Sequence, residues 1–237
     1  MNPKVSMIMA VRNKEAWIAD TISSILEQTM EDWELICVLD GSTDSTEKVI
    51  RHFNDPRIKI HSTYDNRGCG VALNIATHFA LADILVPTSG DDLYIKTKLE
   101  VITKYFEKFP QTDIYYGAFW RGNALGVPVK VKMPEPYEKG KLLTFVNEDH
   151  VNQFIPHGFC AYGSNVGLTV PYKENRKVGI DFPFFVDCEK QGYRFGCSDD
   201  VLGIYRIFPS QVSQASREEI WAEDKKMVEE ANANPRK

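Results

Sequence analysis

The sequence predicts an α/β fold, a mostly parallel central sheet flanked by helices, with a smaller irregular region after it. Three observations carry this. Short apolar runs alternate with segments of helical periodicity at intervals of roughly twenty to thirty residues, the pattern of βαβ crossovers. Polar loops repeatedly follow the carboxyl ends of the runs, where open α/β sheets bind ligands. The chain has 237 residues, 43% of them hydrophobic and 26% charged, enough to bury a sizeable core.

The elements follow in order. Lys4 to Val11 is apolar without strict alternation, as in a strand buried on both faces. Arg12-Asn13-Lys14 breaks it, and Ala16, Trp17, Ile18, Ile22, Ile25 and Leu26 recur at helical spacing. Trp33 to Leu39 is a second buried strand. It stops at Asp40-Gly41-Ser42-Thr43-Asp44, whose hydroxyls and carboxylate can cap a helix bearing Val49, Ile50 and Phe53. Asp55-Pro56 ends that helix, and Ile58 to Ser62 is a third strand. After the loop Asn66-Arg67-Gly68-Cys69-Gly70, helical spacing resumes from Val71 to Leu81. Asp83 to Pro87 is a fourth strand ending at Thr88-Ser89-Gly90-Asp91-Asp92, followed by a helix over Lys96–Phe109 and a strand over Asp113–Trp120.

Periodicity then weakens. Gly122 to Gly140 reads as an irregular excursion or lid, Leu142 to Phe154 as a helix, and Phe159 to Val170 as strand-like. Phe182 to Gln191 reads as a helix and Val201 to Ile207 as a strand. The tail from Ser216 to Ala233 reads as a charged amphipathic helix with Ile220, Trp221, Met227 and Val228 on its apolar side.

Composition excludes several classes. No run of eighteen apolar residues predicts a transmembrane helix, and the N-terminal apolar run lacks a signal-peptide cleavage site. Five cysteines, an odd number with no C-x-x-C pair, argue against a disulfide framework or zinc ribbon and for a reducing, cytoplasmic setting. A net charge of −5 disfavours nonspecific nucleic-acid binding.

Three loops carry candidate chemistry. Asp91 and Asp92 are adjacent carboxylates that repel unless a cation or hydrogen bonds compensate, and oxygen ligands suit Mg²⁺ or Mn²⁺. The alternative is a solvated helix cap. Asp40 stands where a nucleotide lies in a doubly wound sheet, with a turn-and-cap role as the alternative. Arg67 beside Gly68 suits a phosphate or carboxylate at close backbone approach. Gly68-x-Gly70 lacks the third glycine of a dinucleotide fingerprint, so a Rossmann dehydrogenase is not expected.

Together these segments resemble the inverting family 2 glycosyltransferases, which have the GT-A fold. VSMIMAVRNKEAWIADTISSILEQTMEDWELICVLDGSTDST is similar to the usual start of that family. NRGCGVALNIA is similar to its N-x-G-x-x-x-A-x-N helix start, and SGDDLYIKTKLE stands where it places a D-x-D-D metal motif. GIDFPFFVDCEKQGYRFGCSDDVLGIYRIFPSQVS resembles its E-D-x-x-L-x-x-R-L-x-x-x-G-Y segment followed by Y-R-x-H-x-x-S-x-S.

The resemblance implies the following. Ala10, Val11 and Asn13 border the nucleotide base, Asp40 binds base or ribose, and Arg67 approaches base or phosphates. Ser89 and Asp91 line the diphosphate, and Asp91 and Asp92 hold Mn²⁺ or Mg²⁺. Asp181, whose alternative role is a helix cap, removes the proton of the acceptor hydroxyl in a single inverting displacement from a nucleotide-diphosphate sugar, UDP being the commonest donor base. Residues 1–120 would bind the donor, 121–215 would bind the acceptor and supply the base, and 216–237 would form the charged helix. Three departures stand out. Leu39 replaces a first Asp, Ser89 replaces the first Asp of the metal motif, and Phe208 replaces the His of Y-R-x-H. No Q-x-x-R-W motif follows, so a processive synthase is not expected.

Arg121, Lys130, Lys132, Lys139, Lys141, Lys173, Arg176 and Lys177 bias the later region toward an anionic acceptor, or form a solvated surface. The acceptor would be a glycan, a lipid-linked sugar or, less in keeping with the net charge, a modified nucleic-acid base. His157-Gly158 lies in an apolar stretch near either substrate. A sugar nucleotidyltransferase is the rival enzyme class, but AVRNKEAW is not its Gly-rich basic loop. A non-catalytic nucleotide-sugar binding module is the rival favoured by Ser89 and disfavoured by Asp181.

Overall fold

A computed structural model of the chain describes residues 2–143, 145–147, 150–151, 155–176, 179–209, 211 and 217–233. Strands β1 (Val5–Val11), β2 (Trp33–Asp40), β3 (Ile58–Thr63) and β4 (Ile84–Pro87) form the parallel half of the main sheet. They are joined by helices α1 (Ile18–Leu26), α2 (Thr46–His52) and α3 (Cys69–Phe79). The other half holds β5 (Leu93–Tyr94), β6 (Ile114–Gly122), β7 (Pro128–Lys132), β10 (Cys160–Gly163) and β11 (Phe195–Arg206). Helix α4 (Lys98–Lys108) precedes β6. Helices α5 (Ser164–Thr169) and α6 (Asp181–Lys190) lie between β10 and β11, and α7 (Arg217–Ala233) follows β11. Strands β8 (Phe145–Asn147) and β9 (His150–Val151) form a separate small ribbon.

The order across the sheet is β3-β2-β1-β4-β10-β6-β11-β5, with β7 also paired to β6. Strand β10 runs antiparallel to both neighbours, β4 and β6. The region after residue 120 is therefore knitted into the same sheet, and β6 runs in the same direction as β1, β2 and β4.

Strand alternation explains the two cores. Val5, Met7, Met9 and Val11 of β1 pack with Ile18, Ile22 and Ile25 of α1 and Leu99 and Ile102 of α4. Ile8 points the other way, with Ile36 and Val38, against Ala72 and Ala76 of α3 and Phe184 and Phe185 of α6. Glu34 can sit in this interior because Ser6 Oγ (2.6 Å) and Leu81 N (2.7 Å) both donate to its Oε1.

The later region departs from its sequence reading in four places. Phe159–Val170 is not one strand: β10 stops at Gly163 and α5 begins at Ser164, whose N donates to the Asp83 carbonyl at 2.8 Å. Leu142 to Phe154 is not a helix where it is described, but a 3₁₀ turn (Lys141–Leu143) followed by β8 and β9. Gly122–Gly140 is not wholly irregular, since β7 pairs with β6 through Arg121↔Lys130 and Trp120↔Val131. Strand β11 also starts earlier than expected, at Phe195. On α7, Val228 is buried and Ile220 and Met227 half-buried. Phe154, Lys177, Ser216 and the Trp221 side chain lie outside the described residues.

Candidate active site

The carboxyl ends of β1, β2 and β4 lie side by side, and their loops interlock. Asn13 takes a left-handed backbone (φ 50°), and its Oδ1 accepts from Thr43 N at 2.8 Å. Lys14 N donates to Thr46 Oγ1 (2.7 Å) and Ser45 N to Glu15 Oε2 (2.8 Å). The Asn13 side chain thus fixes the DGSTD loop. Val11 is buried: a Cβ on Gly90 would stand 2.9 Å from Val11 Cγ2, so only glycine fits there. Ala10 is half-buried at the rim. Leu39 turns into the α1 core, while Asp40 ends the strand.

Asp40 is buried and heavily engaged. Its Oδ1 accepts from Arg67 N (2.8 Å) and Thr63 Oγ1 (2.9 Å), and its Oδ2 accepts from Gly68 N (2.9 Å). It therefore shapes the 65–68 loop. Gly41 (φ 64°) completes this fit, because a Cβ there would lie 2.6 Å from Asn66 N. The Arg67 side chain is exposed above the loop.

Asp91 and Asp92 are not the cap of α4. Strand β5 intervenes, and Thr97 holds the cap position. Lys14 Nζ lies 2.5 Å from Asp91 Oδ2. Arg206 threads beneath the pair: its N donates to Asp92 Oδ1 (3.1 Å) and its Nε to the Asp91 carbonyl. The rest of its fork reaches Asp20 Oδ2, the Trp17 carbonyl and Thr21 Oγ1. Burial, then the Asp91 charge, push the Asp92 carboxyl up to about 8, against the pull of Arg206 and Lys98. Burial takes the Lys98 ammonium down to about 7, and its Nζ donates to the Gly158 carbonyl at 3.0 Å. Ser89 N donates to the Tyr94 hydroxyl at 2.7 Å. A Cβ on Gly158 would stand 3.3 Å from Asp92 Oδ2 and 3.8 Å from Ser89 Oγ, so the His157-Gly158 turn lies over the acidic loop. Phe208 stacks on Trp17 with ring centroids 4.5 Å apart.

Asp181 opens α6 and is half-buried. Ile180 holds the cap position, and it makes no side-chain cap bond. Cys69, the first residue of α3, ties the site together. Burial drives its thiol up to about 12, and the carboxylates of Asp181, Asp40 and Asp91 act in the same direction. Lys14 acts in the opposite direction. Nearby, His157 Nε2 lies 2.7 Å from Tyr172 Oη, and burial lowers its imidazole to about 4.

The segment leading to Asp181 is fixed from both sides. Asn74 of α3 pairs with Tyr172, accepting from its N (2.8 Å) and donating to its carbonyl (3.0 Å). Arg176 is buried, with its Nε 2.5 Å from Glu223 and its Nη2 2.8 Å from Asp224 of α7, and it also donates to the Gly179 carbonyl. Arg176 therefore belongs to the frame and leaves the basic acceptor surface expected for it. Lys173 and Lys141 are likewise paired, with Asp187 and Glu138.

Sequence reasoning missed Lys14, Asn74, Lys98, Arg206 and Cys69. Asn74 and Arg206 stood inside the N-x-G-x-x-x-A-x-N and Y-R motifs, so a signal existed. Lys14 and Lys98 carried none beyond nearness to the acidic loops.

The donor set at Asp91, Asp92 and Ser89 is all oxygen, which suits a hard cation. Among the described residues no three His, Cys, Asp or Glu side chains form a metal cage. A divalent ion fits here when substrate phosphates supply further ligands, and its charge would relieve the burial cost seen at Asp92. No helix among the described residues is long and apolar enough to cross a membrane.

The sequence profile of Glycosyl transferase family 2 matches residues 6–166. Escherichia coli UDP-Glc:alpha-D-GlcNAc-diphosphoundecaprenol beta-1,3-glucosyltransferase WfgD is 32% identical over 139 residues, 59% of this chain and 54% of that protein. The fold is shared with S. aureus TarS 1-349 in complex with UDP-GlcNAc (TM-score 0.75, 17% identity, 95% of this chain and 65% of that one). It is also shared with mannosyltransferase PcManGT from Pyrobaculum calidifontis in complex with GDP-Man and Mn²⁺ (TM-score 0.67, 19% identity, 92% and 60%). The chain thus spans between about half and two thirds of the length of these three proteins.

Proposed function

This chain belongs to Glycosyl transferase family 2, and from that premise we propose that it moves a sugar from a nucleotide-diphosphate donor to an acceptor hydroxyl with inversion. The observation that carries the reading is the buried pair Asp91-Asp92 at the carboxyl edge of the sheet, held by Lys14 and Arg206 beneath the His157-Gly158 turn. In this reading the base of the nucleotide lies against Ala10, Val11 and Asn13, in a floor that Asp40 shapes, and the exposed Arg67 reaches base or phosphates. Ser89 and Asp91 face the diphosphate. Asp91 and Asp92 hold the divalent ion, which when bound stabilises negative charge on the leaving diphosphate.

Asp181 takes the proton of the acceptor hydroxyl as its oxygen bonds to the anomeric carbon. The bond from that carbon to the diphosphate oxygen breaks on the opposite face, and the bond pair leaves with the nucleoside diphosphate. A UDP-sugar donor and a lipid-linked sugar acceptor are the favoured substrates. The UDP-Glc donor and diphosphoundecaprenol acceptor named for the E. coli relative support that choice. We place the reaction in the cytoplasm, in keeping with five cysteines that are all free thiols.

The test is thermal stabilisation by UDP- and GDP-sugars, with and without Mn²⁺ or Mg²⁺, followed by product analysis. Absence of any nucleotide response would sink the donor reading. Asp181→Asn should keep the donor-dependent shift and lose turnover by about a hundredfold or more. Full turnover in that variant would remove the base assignment. The rival binding module, which Ser89 favours, is tested by the same assay: it predicts the shift without any product from wild type. The anomeric configuration of the product decides inversion.

A further inference from the structure

The β6–β7 hairpin carries features that the transfer reaction does not use. Among the described residues eight large hydrophobic side chains are exposed, and four of them, Leu125, Val127, Val129 and Met133, lie within nine residues of this hairpin. Leu125 is 84% exposed and Val129 72%. Scattered exposed hydrophobics are ordinary, whereas a cluster this tight marks a contact surface.

Charge identifies the contact. Residues 114–134 contain Arg121, Lys130 and Lys132 and no acid, in a chain of net charge −5. Arg121 and Lys130 are cross-strand partners and share one face, while Trp120 and Val131 are partners on the other. Long basic side chains flanking an apolar turn are what the lipid–water interface takes up: the apolar groups enter and the cations stay at the headgroups. Among the described residues β7 pairs with β6 alone, so no further strand extends the sheet past β7.

Topology gives the contact a direction. Register across β10 sets Ile114 of β6 level with Tyr162 and hence with Leu85 of β4. Strand β6 then continues to Gly122 beside β11, whose Ile204 pairs with both Trp120 of β6 and Leu93 of β5, so the end of β6 lies level with the Asp91-Asp92 loop. The hairpin therefore lies at the edge that carries Asp91 and Asp92. Its turn is held there: Gly126 (φ 76°), between β6 and β7, packs so closely on Leu93, the residue after Asp92, that a Cβ would collide with Leu93 Cδ1.

We infer that the β6–β7 hairpin docks the protein on an anionic phospholipid surface, with Leu125, Val127 and Val129 inserted and Arg121, Lys130 and Lys132 at the headgroups. The active-site edge then faces the membrane. This inference does not depend on the identity of donor or acceptor.

The experiment is co-sedimentation of the full chain with phosphatidylcholine vesicles, with and without phosphatidylglycerol. Binding should require the anionic lipid and fall as salt rises. Lys130→Gln with Lys132→Gln should cut partitioning about thirtyfold, the combined loss of two cations near a charged surface. Leu125→Ser with Val129→Ser should weaken binding at every salt concentration. Melting curves matching wild type establish that both variants fold, and light scattering reports self-association. Equal binding to both vesicle types, or binding that survives both variants, would overturn the inference. So would a lipid-indifferent dimer that the Leu125 and Val129 changes convert to monomer, because the surface would then serve a second copy.

Discussion

Lys14 Nζ sits 2.5 Å from Asp91 Oδ2, so the loop after β1 neutralises the acidic loop after β4. The pair is mostly buried, with 17% and 9% of the two side chains exposed. Lys14→Met would leave Asp91 beside Asp92 without that cation. The metal-free variant should lose roughly 1–3 kcal/mol, less than a fully buried broken pair because the lysine keeps some solvent. Mg²⁺ or Mn²⁺ should restore more stability to the variant than it adds to wild type, since the ion replaces a missing charge. Thermal melts with and without the ion check this. Equal ion responses in the two proteins would show that Lys14 and the cation act at separate places.

How far the site could be read from sequence follows from which residues act locally. The parallel half of the sheet was legible because its strands are short apolar runs ended by Asp, Gly and Ser. The loops of Asp40 and Asp91 were legible for the same reason. Leu142 to Phe154 was misread because its apolar spacing fits a helix, while the 3₁₀ turn at Lys141–Leu143 packs against α6 and α7. Arg176 looked like a solvated cation because its partners, Glu223 and Asp224, lie almost fifty residues away. Lys14 and Lys98 escaped notice on the same physical ground: a buried lysine is recognisable only from the carboxylate or carbonyl it meets in space.

Arg206 tests whether the geometry of the fork matters or only its charge. The side chain is 1% exposed and contacts Asp91, Asp20, Trp17 and Thr21 with four separate bonds. Arg206→Lys keeps the charge but cannot span those acceptors. We expect a loss of about 3 kcal/mol or more in urea unfolding, because buried acceptors are left unpaired. Donor affinity should fall with it, as the acidic loop loses its support. A variant within 1 kcal/mol of wild type (on the scale of a surface substitution) would contradict this role.

Asp40 makes a comparable test of the 65–68 loop. Both its oxygens accept from backbone N–H groups, Arg67 N at one and Gly68 N at the other. Asp40→Asn keeps the shape but turns an NH₂ group toward one of those donors. The cost should be about 1–3 kcal/mol, and KM for the donor should rise more than kcat falls, since the 65–68 loop would no longer be held. A fall in kcat with KM unchanged would point instead to a part in the chemical step.

His157 sets a pH dependence whose sign is fixed. Burial, reinforced by Lys98 and opposed by Asp181, lowers its imidazole to about 4, below its ordinary 6.5. The folded protein therefore holds it neutral where the unfolded chain would protonate it. Its stabilising contribution is complete above about pH 6.5 and is lost as pH falls toward 4, amounting to at most about 3 kcal/mol. His157→Gln retains a polar group facing Tyr172 Oη, which lies 2.7 Å from His157 Nε2, but has nothing to titrate. Urea unfolding of the two proteins at steps between pH 7 and pH 4 should show wild type losing stability faster than the variant. Parallel loss in both would mean that the imidazole takes up its proton in the fold as readily as in the open chain, and that its burial against Tyr172 does not hold it neutral.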